Sequence, residues 1–218
     1  VVSSYASSSS TYGARIGSVV GYSYGPCIIE NNVNMGSATF IGNVVVNEDS
    51  YIGGIVGYVS ASSNKEFIVR NSANYGPVTH SGKSRYLYIG GIAGRFYEDY
   101  LNYIQNCLNY GGITHNGTTT YLYIGGIVGR TYSGTNNINN CVSAGKISSN
   151  KGGYIGSIVG YINSRTTKIT RCYWTSNDGY NKAYGSGSPT ITDSMSFDPI
   201  TFELSKTISV NNYTGTSL

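Results

Sequence analysis

The chain is 218 residues long and carries 14 basic against 10 acidic residues, a net charge of +4, with only 11% charged residues overall. The basic residues are scattered rather than blocked, which argues against a nucleic-acid footprint, and no apolar run approaches the roughly 20 residues of a membrane-spanning helix. With 30 Gly and 22 Tyr, the composition also argues against helical repeats, which need strong helix formers and a charged stripe.

In chain order, residues 1–14 are polar and strand-compatible and read as an N-terminal cap or linking strand. The first residue is Val, and no secretory signal stands there, so the chain reads as a processed product or a piece of something longer. From residue 15 a string recurs: RIGSVVGY at 15, YIGGIVGY at 51, YIGGIAGR at 88, YIGGIVGR at 123 and YIGSIVGY at 154. Its leading isoleucines, Ile16, Ile52, Ile89, Ile124 and Ile155, lie 36, 37, 35 and 31 residues apart. A period near 35 is one supersecondary unit. Short runs of Val, Ile and Tyr between Gly, Asn and Ser clusters make that unit a set of strands and turns.

A second block follows each string: IIENNVNMG at 28, IVRNSANYG at 68, YIQNCLNYG at 103, NINNCVSAG at 137, and a deviant KITRCYWTS at 168. It supplies two aliphatic columns, Ile29, Val69, Ile104, Ile138, Ile169 and Val33, Ala73, Leu108, Val142, Tyr173, with Asn31, Asn71, Asn106, Asn140 and Arg171 between them. Like residues stacked about 4.8 Å apart would make the aliphatic columns a continuous core and the asparagines an amide ladder. A third block, PVTH at 77, GITH at 112 and KISS at 146, completes the unit. The predicted fold is all-β, a β-solenoid (parallel β-helix) of about five coils over residues 15–177, each coil holding about three strands. Residues 178–218 break the period and read as a C-terminal cap or an inter-subunit docking segment.

Two readings of the glycine string stand open. Strand alternation puts Tyr88, Gly90, Ile92 and Gly94 on one face. If that face looks outward, Tyr51, Ile55, Tyr86, Tyr88, Ile92, Tyr121, Tyr123, Ile127, Tyr154 and Ile158 form a flat apolar and aromatic docking face. If the paired glycines mark a bend, the same isoleucines join the core. Tyrosine, an apolar ring with a polar tip, also suits carbohydrate stacking.

His80 and His115 occupy equivalent positions and read as a surface repeat feature rather than a catalytic base. The acidic pairs Glu48-Asp49 and Glu98-Asp99 recur in too few coils for a glycosidase carboxylate pair. Cys107, Cys141 and Cys172 share a column, with Cys27 apart; buried thiols are favoured there, and a vertical disulfide between neighbouring coils is the geometric alternative. Neither the cysteine nor the histidine spacing suits zinc. The sequence thus offers no catalytic, cofactor-binding or metal-binding set. N-glycosylation patterns stand at Asn116 and Asn212.

Taken jointly, the Gly-Gly-aliphatic-Val-Gly string, the I-x-N-C/S-aliphatic block and the G-x-V/I block resemble the GLUG-motif repeats of bacterial surface proteins, among them adhesins and the non-catalytic repeats of some IgA-cleaving proteases. Ile stands here where that family usually has Leu, and Tyr is commoner. The resemblance implies an extracellular or cell-surface setting and no catalytic residues. The expected function is a non-enzymatic structural module, a self-associating fibre subunit or adhesin stalk, with a carbohydrate-binding module as the alternative. Expected partners are further copies of the chain, stacked head to tail or laterally, another surface protein, or glycans in the alternative; nucleic acid, a membrane span and cofactors are not expected.

Overall fold

Six positions set the rhythm of the chain. Asn31, Asn71, Asn106, Asn140, Arg171 and Asp193 all hold φ between 49° and 58°, the left-handed region that Asn and Asp tolerate best among residues with a side chain. Each turns the chain sharply between two short strands. The computed structural model describes residues 2–3, 13–42, 48–60, 66–97, 101–164, 166–175 and 180–197.

One coil shows the plan. Its strands are Lys83–Gly90, Ala93–Tyr97, Leu101–Gln105, Leu108–Asn109 and Ile113–His115, and they belong to the first, second, third, fourth and fifth sheets respectively. Each pairs in parallel with its equivalent one coil away, so that Ile52, Ile89, Ile124 and Ile155 stand in register in the first sheet. Among the described residues, the first and fifth sheets hold five strands each and the other three hold six. The chain is therefore an all-β solenoid with a period near 35 residues and about four complete turns among the described residues. Five strands replace the expected three per coil because two blocks are each broken once, the glycine string at its paired glycines and the second block at its left-handed residue.

The ladder also runs past residue 177. Tyr184–Ser186, Thr190–Thr192 and Met195–Phe197 add a further strand to the second, third and fourth sheets. At the other end, Val2–Ser3 pairs with the fifth sheet.

Of the two aliphatic columns, only Ile29, Val69, Ile104, Ile138 and Ile169 are core. The other faces outward: Val33 is exposed, and Ala73, Leu108, Val142 and Tyr173 are half-buried. Parity is counted from the residue after the left-handed turn. Cys107 points in, so Leu108 points out and Asn109 points in. The interior column is consequently Asn34, Asn74, Asn109 and Ser143. Its amides are satisfied by stacking: Asn34 Nδ2 donates to Asn74 Oδ1 at 2.7 Å and Asn74 Nδ2 to Asn109 Oδ1 at 2.8 Å, as buried polar groups require.

The glycine string runs inward until it meets this ladder. A Cβ at Gly54 would lie 2.4 Å from Asn74 Cγ, and one at Gly91 2.2 Å from Asn109 Cγ. Contact with the opposite wall divides the interior in two. One core gathers Ile55, Ile92, Ile127 and Ile158 with the third-sheet column; the other gathers Ile52, Ile89 and Ile124 with Val78, Ile113 and Leu87.

Candidate functional site: a tyrosine and arginine seam

Because the string folds inward, the outer faces of the first and second sheets turn toward each other. At the bottom of the fold the backbones touch: a Cβ at Gly94 would sit 2.8 Å from Ile52 N, and one at Gly129 2.7 Å from Ile89 O. Above that contact two columns face each other. Arg15, Tyr51, Tyr88, Tyr123 and Tyr154 come from the first sheet. Tyr22, Tyr58, Arg95, Arg130 and Tyr161 come from the second.

Rings stack along the columns, Tyr51 on Tyr88 at 5.1 Å and Tyr88 on Tyr123 at 5.0 Å, and across them, Tyr51 on Tyr58 at 4.4 Å. The Arg95 guanidinium lies 4.6 Å from the Tyr97 ring and 4.8 Å from Tyr88, and Arg130 lies 4.9 Å from Tyr132 and 5.1 Å from Tyr161. These are cation–π distances. Arg130 also donates from Nη1 to the Tyr88 hydroxyl at 3.2 Å. Asp49 accepts from the Tyr51 hydroxyl at 2.9 Å and stands 3.9 Å from Arg95 Nη1. Burial raises the Asp49 pKa, against the Tyr51 hydrogen bond and the charge of Arg95. Burial likewise pushes Tyr88 up to about 12. Tyr51, Tyr58, Tyr88 and Tyr123, all raised by burial, stay neutral at physiological pH, and the seam cements two sheets.

The expected docking face is largely inside the molecule. Ile55, Ile92, Ile127 and Ile158 are 0% exposed, because the glycine bend folds them into the core; the expectation that they are displayed is corrected. Tyr51, Tyr88 and Tyr123 are buried in the seam. Tyr86 is half-buried, and Tyr121 and Tyr154 are exposed at the rim. Tyr86 and Tyr121 stack on each other at 4.5 Å. Sequence reasoning missed Arg95 and Arg130, whose only signal was Arg replacing Tyr at the last position of the string.

The histidines are also corrected. His80 and His115 face inward in the fifth sheet and are fully buried, since they share parity with core residues Val78 and Ile113. Their Nδ1 atoms are 3.1 Å apart, His80 Nε2 is 2.9 Å from Ser84 Oγ, and Ser84 Oγ donates to Ser50 Oγ at 2.7 Å. Burial, then the neighbouring His115, lowers the His80 pKa to about 3; burial, then Lys151, lowers that of His115 to about 4.

Cys107, Cys141 and Cys172 are buried free thiols in one column, and Cys27 is half-buried and free. Cys107 and Cys141 Sγ donate to the carbonyls of Gln105 and Asn139, each at 3.2 Å. Asn116 is exposed directly after the strand Ile113–His115. Asn212 and the pair Glu98-Asp99 lie outside the described residues. Among the described residues no group of three His, Cys, Asp or Glu side chains could hold a metal ion, and no helix is long and apolar enough to cross a membrane. In comparisons with known proteins, no family model, curated protein or solved structure matches the chain.

Proposed function

We propose that the chain is a non-enzymatic structural module of an extracellular or cell-surface protein, working as a self-associating fibre subunit or adhesin stalk. The observation that carries this reading is that, among the described residues, two core columns end exposed. Val19 begins the column of Ile55, Ile92, Ile127 and Ile158; it is 45% exposed where they are 0%. Ile191 ends the column of Ile29 to Ile169 and is 41% exposed. Open strand ladders with apolar ends are templates for further strands. The resemblance to GLUG-motif repeats supports the surface setting. The non-enzymatic reading is supported by the burial of the His80 and Ser84 pair, which no substrate reaches. For glycan binding, Tyr51, Tyr88 and Tyr123 have their faces spent on neighbouring rings, which leaves a sugar the exposed end rings Tyr121 and Tyr154.

Electron microscopy of the purified chain across a concentration series tests the reading. Regular fibres whose number grows with concentration are expected; persistent monomers at high concentration would overturn self-association.

A further inference from the structure

We infer that copies of the chain stack head to tail, with Tyr184–Ser186, Thr190–Thr192 and Met195–Phe197 of one copy pairing in parallel with Val20–Tyr24, Cys27–Glu30 and Val33–Asn34 of the next. The inference rests on the self-association proposed above and adds which surfaces meet and in what register. The register follows from pairings inside one chain. Thr190 and Ile191 lie beside Lys168 and Ile169, while Ile28 and Ile29 lie beside Ile68 and Val69. Continuing the same columns sets Ile29 of the second copy on Ile191 and its Asn31 on Asp193.

Two features make a second copy the occupant. The first is the core: stacking covers Ile191 with Ile29 and brings Val19 over Ala183, whose carbonyl accepts from Ile158 N as Ile158 O does from Ile127 N. The second core needs no partner at this end, because Tyr180 packs against it. The second feature is the polarity of the outer amide ladder. Asn71 Nδ2 donates to Asn31 Oδ1, Asn106 to Asn71, Asn140 to Asn106, and Arg171 Nε to Asn140. Every donor points toward the preceding coil. Among the described residues, the Asn31 side chain accepts from Asn71 and donates to nothing, and the column ends at Asp193, whose carboxylate can only accept. Both residues are exposed and share the left-handed backbone. A donor is left at one end and an acceptor at the other. Such a contact is heterologous and propagates without closing.

Sedimentation velocity on four samples tests this: wild type, Asp193→Lys, Asn31→Asp, and an equal mixture of the two variants. Asn31→Asp still accepts from Asn71 and so leaves its own coil intact. Alone, Asp193→Lys removes the acceptor and Asn31→Asp opposes two carboxylates, so each is expected to need about two- to fivefold more protein to assemble. The mixture, in which the ammonium tail of one variant meets the carboxylate head of the other, is expected to assemble like wild type. Ile191→Lys, at the exposed last rung, is expected to raise the assembly concentration at least about tenfold, with circular dichroism unchanged. Variants that assemble like wild type, or a mixture that fails to recover, would overturn this stacking while leaving self-association through another surface. A wild-type chain monomeric at every concentration would overturn both.

Discussion

At Gly94 a methyl group has nowhere to go, since its carbon would lie 2.5 Å from Gly57 O and 2.8 Å from Ile52 N. Both atoms are backbone and cannot swing away. Gly94→Ala is expected to cost about 1–3 kcal/mol in urea unfolding, whereas Gly112→Ala, whose nearest atom would be at an ordinary 3.6 Å, should be nearly neutral. Equal losses at the two positions would mean that close packing is not what the string's glycine serves. The histidines make a second residue-scale prediction. Their folded pKa values are lowered, to about 3 and about 4, so below about pH 6.5 the unfolded chain binds the extra protons. Stability from this pair is complete above that pH and is lost as the pH falls toward the folded values. Phe40 and Ser149 already occupy the same column, so H80F/H115S should keep the fold and flatten the acid side of a melting-temperature profile; an unchanged slope would assign it to other groups.

Within the seam, the question is whether rings or the carboxylate hold Arg95. The Asp49 contact is long, 3.9 Å, and the Asp49 side chain is 27% exposed, which limits the ion pair to the order of 1 kcal/mol or less. Five rings lie within cation–π range of the guanidinium, each with a share of an attraction that reaches about 2 kcal/mol when desolvated. The rings therefore win. R95M is expected to cost about 2–3 kcal/mol through lost ring contacts and stem packing, D49N less than about 1, and a double-mutant cycle should return a coupling below about 1 kcal/mol. A larger coupling would make Asp49 the principal partner. This element was half legible. The repeat placed the tyrosines in columns, but whether a column faces solvent depends on how two sheets fold against each other, and no single strand records that. The Val33 column fails for a related reason: a left-handed residue resets strand parity, and Asn at positions 31, 71, 106 and 140 reads from sequence as a ladder before it reads as a turn.

Along the whole molecule, stability is a sum over coils and their neighbours, so position in the stack decides what a core side chain contributes. Phe96, fully buried and 5.5 Å from Phe67, should cost about 3–5 kcal/mol as Phe96→Ala. Ile191→Ala, at an end that is 41% exposed, should cost about 1 kcal/mol in dilute solution, and more as concentration rises if stacking buries it. A concentration-independent Ile191 effect would count against coverage of that end by a second copy. The period, the parallel stacking, the Ile29 core column and the buried cysteine column were written in the sequence, because a repeat forces like residues onto like positions one rung apart. Which face of each strand is inside, the division into two cores, the burial of His80 and His115, and the Tyr and Arg seam were decided by tertiary structure. The two cores and the seam depend on the inward run of the glycine string to the Asn74 and Asn109 ladder, a contact that local alternation cannot encode, while the inward face of the second block and of the histidine strands follows from strand parity as the turns set it.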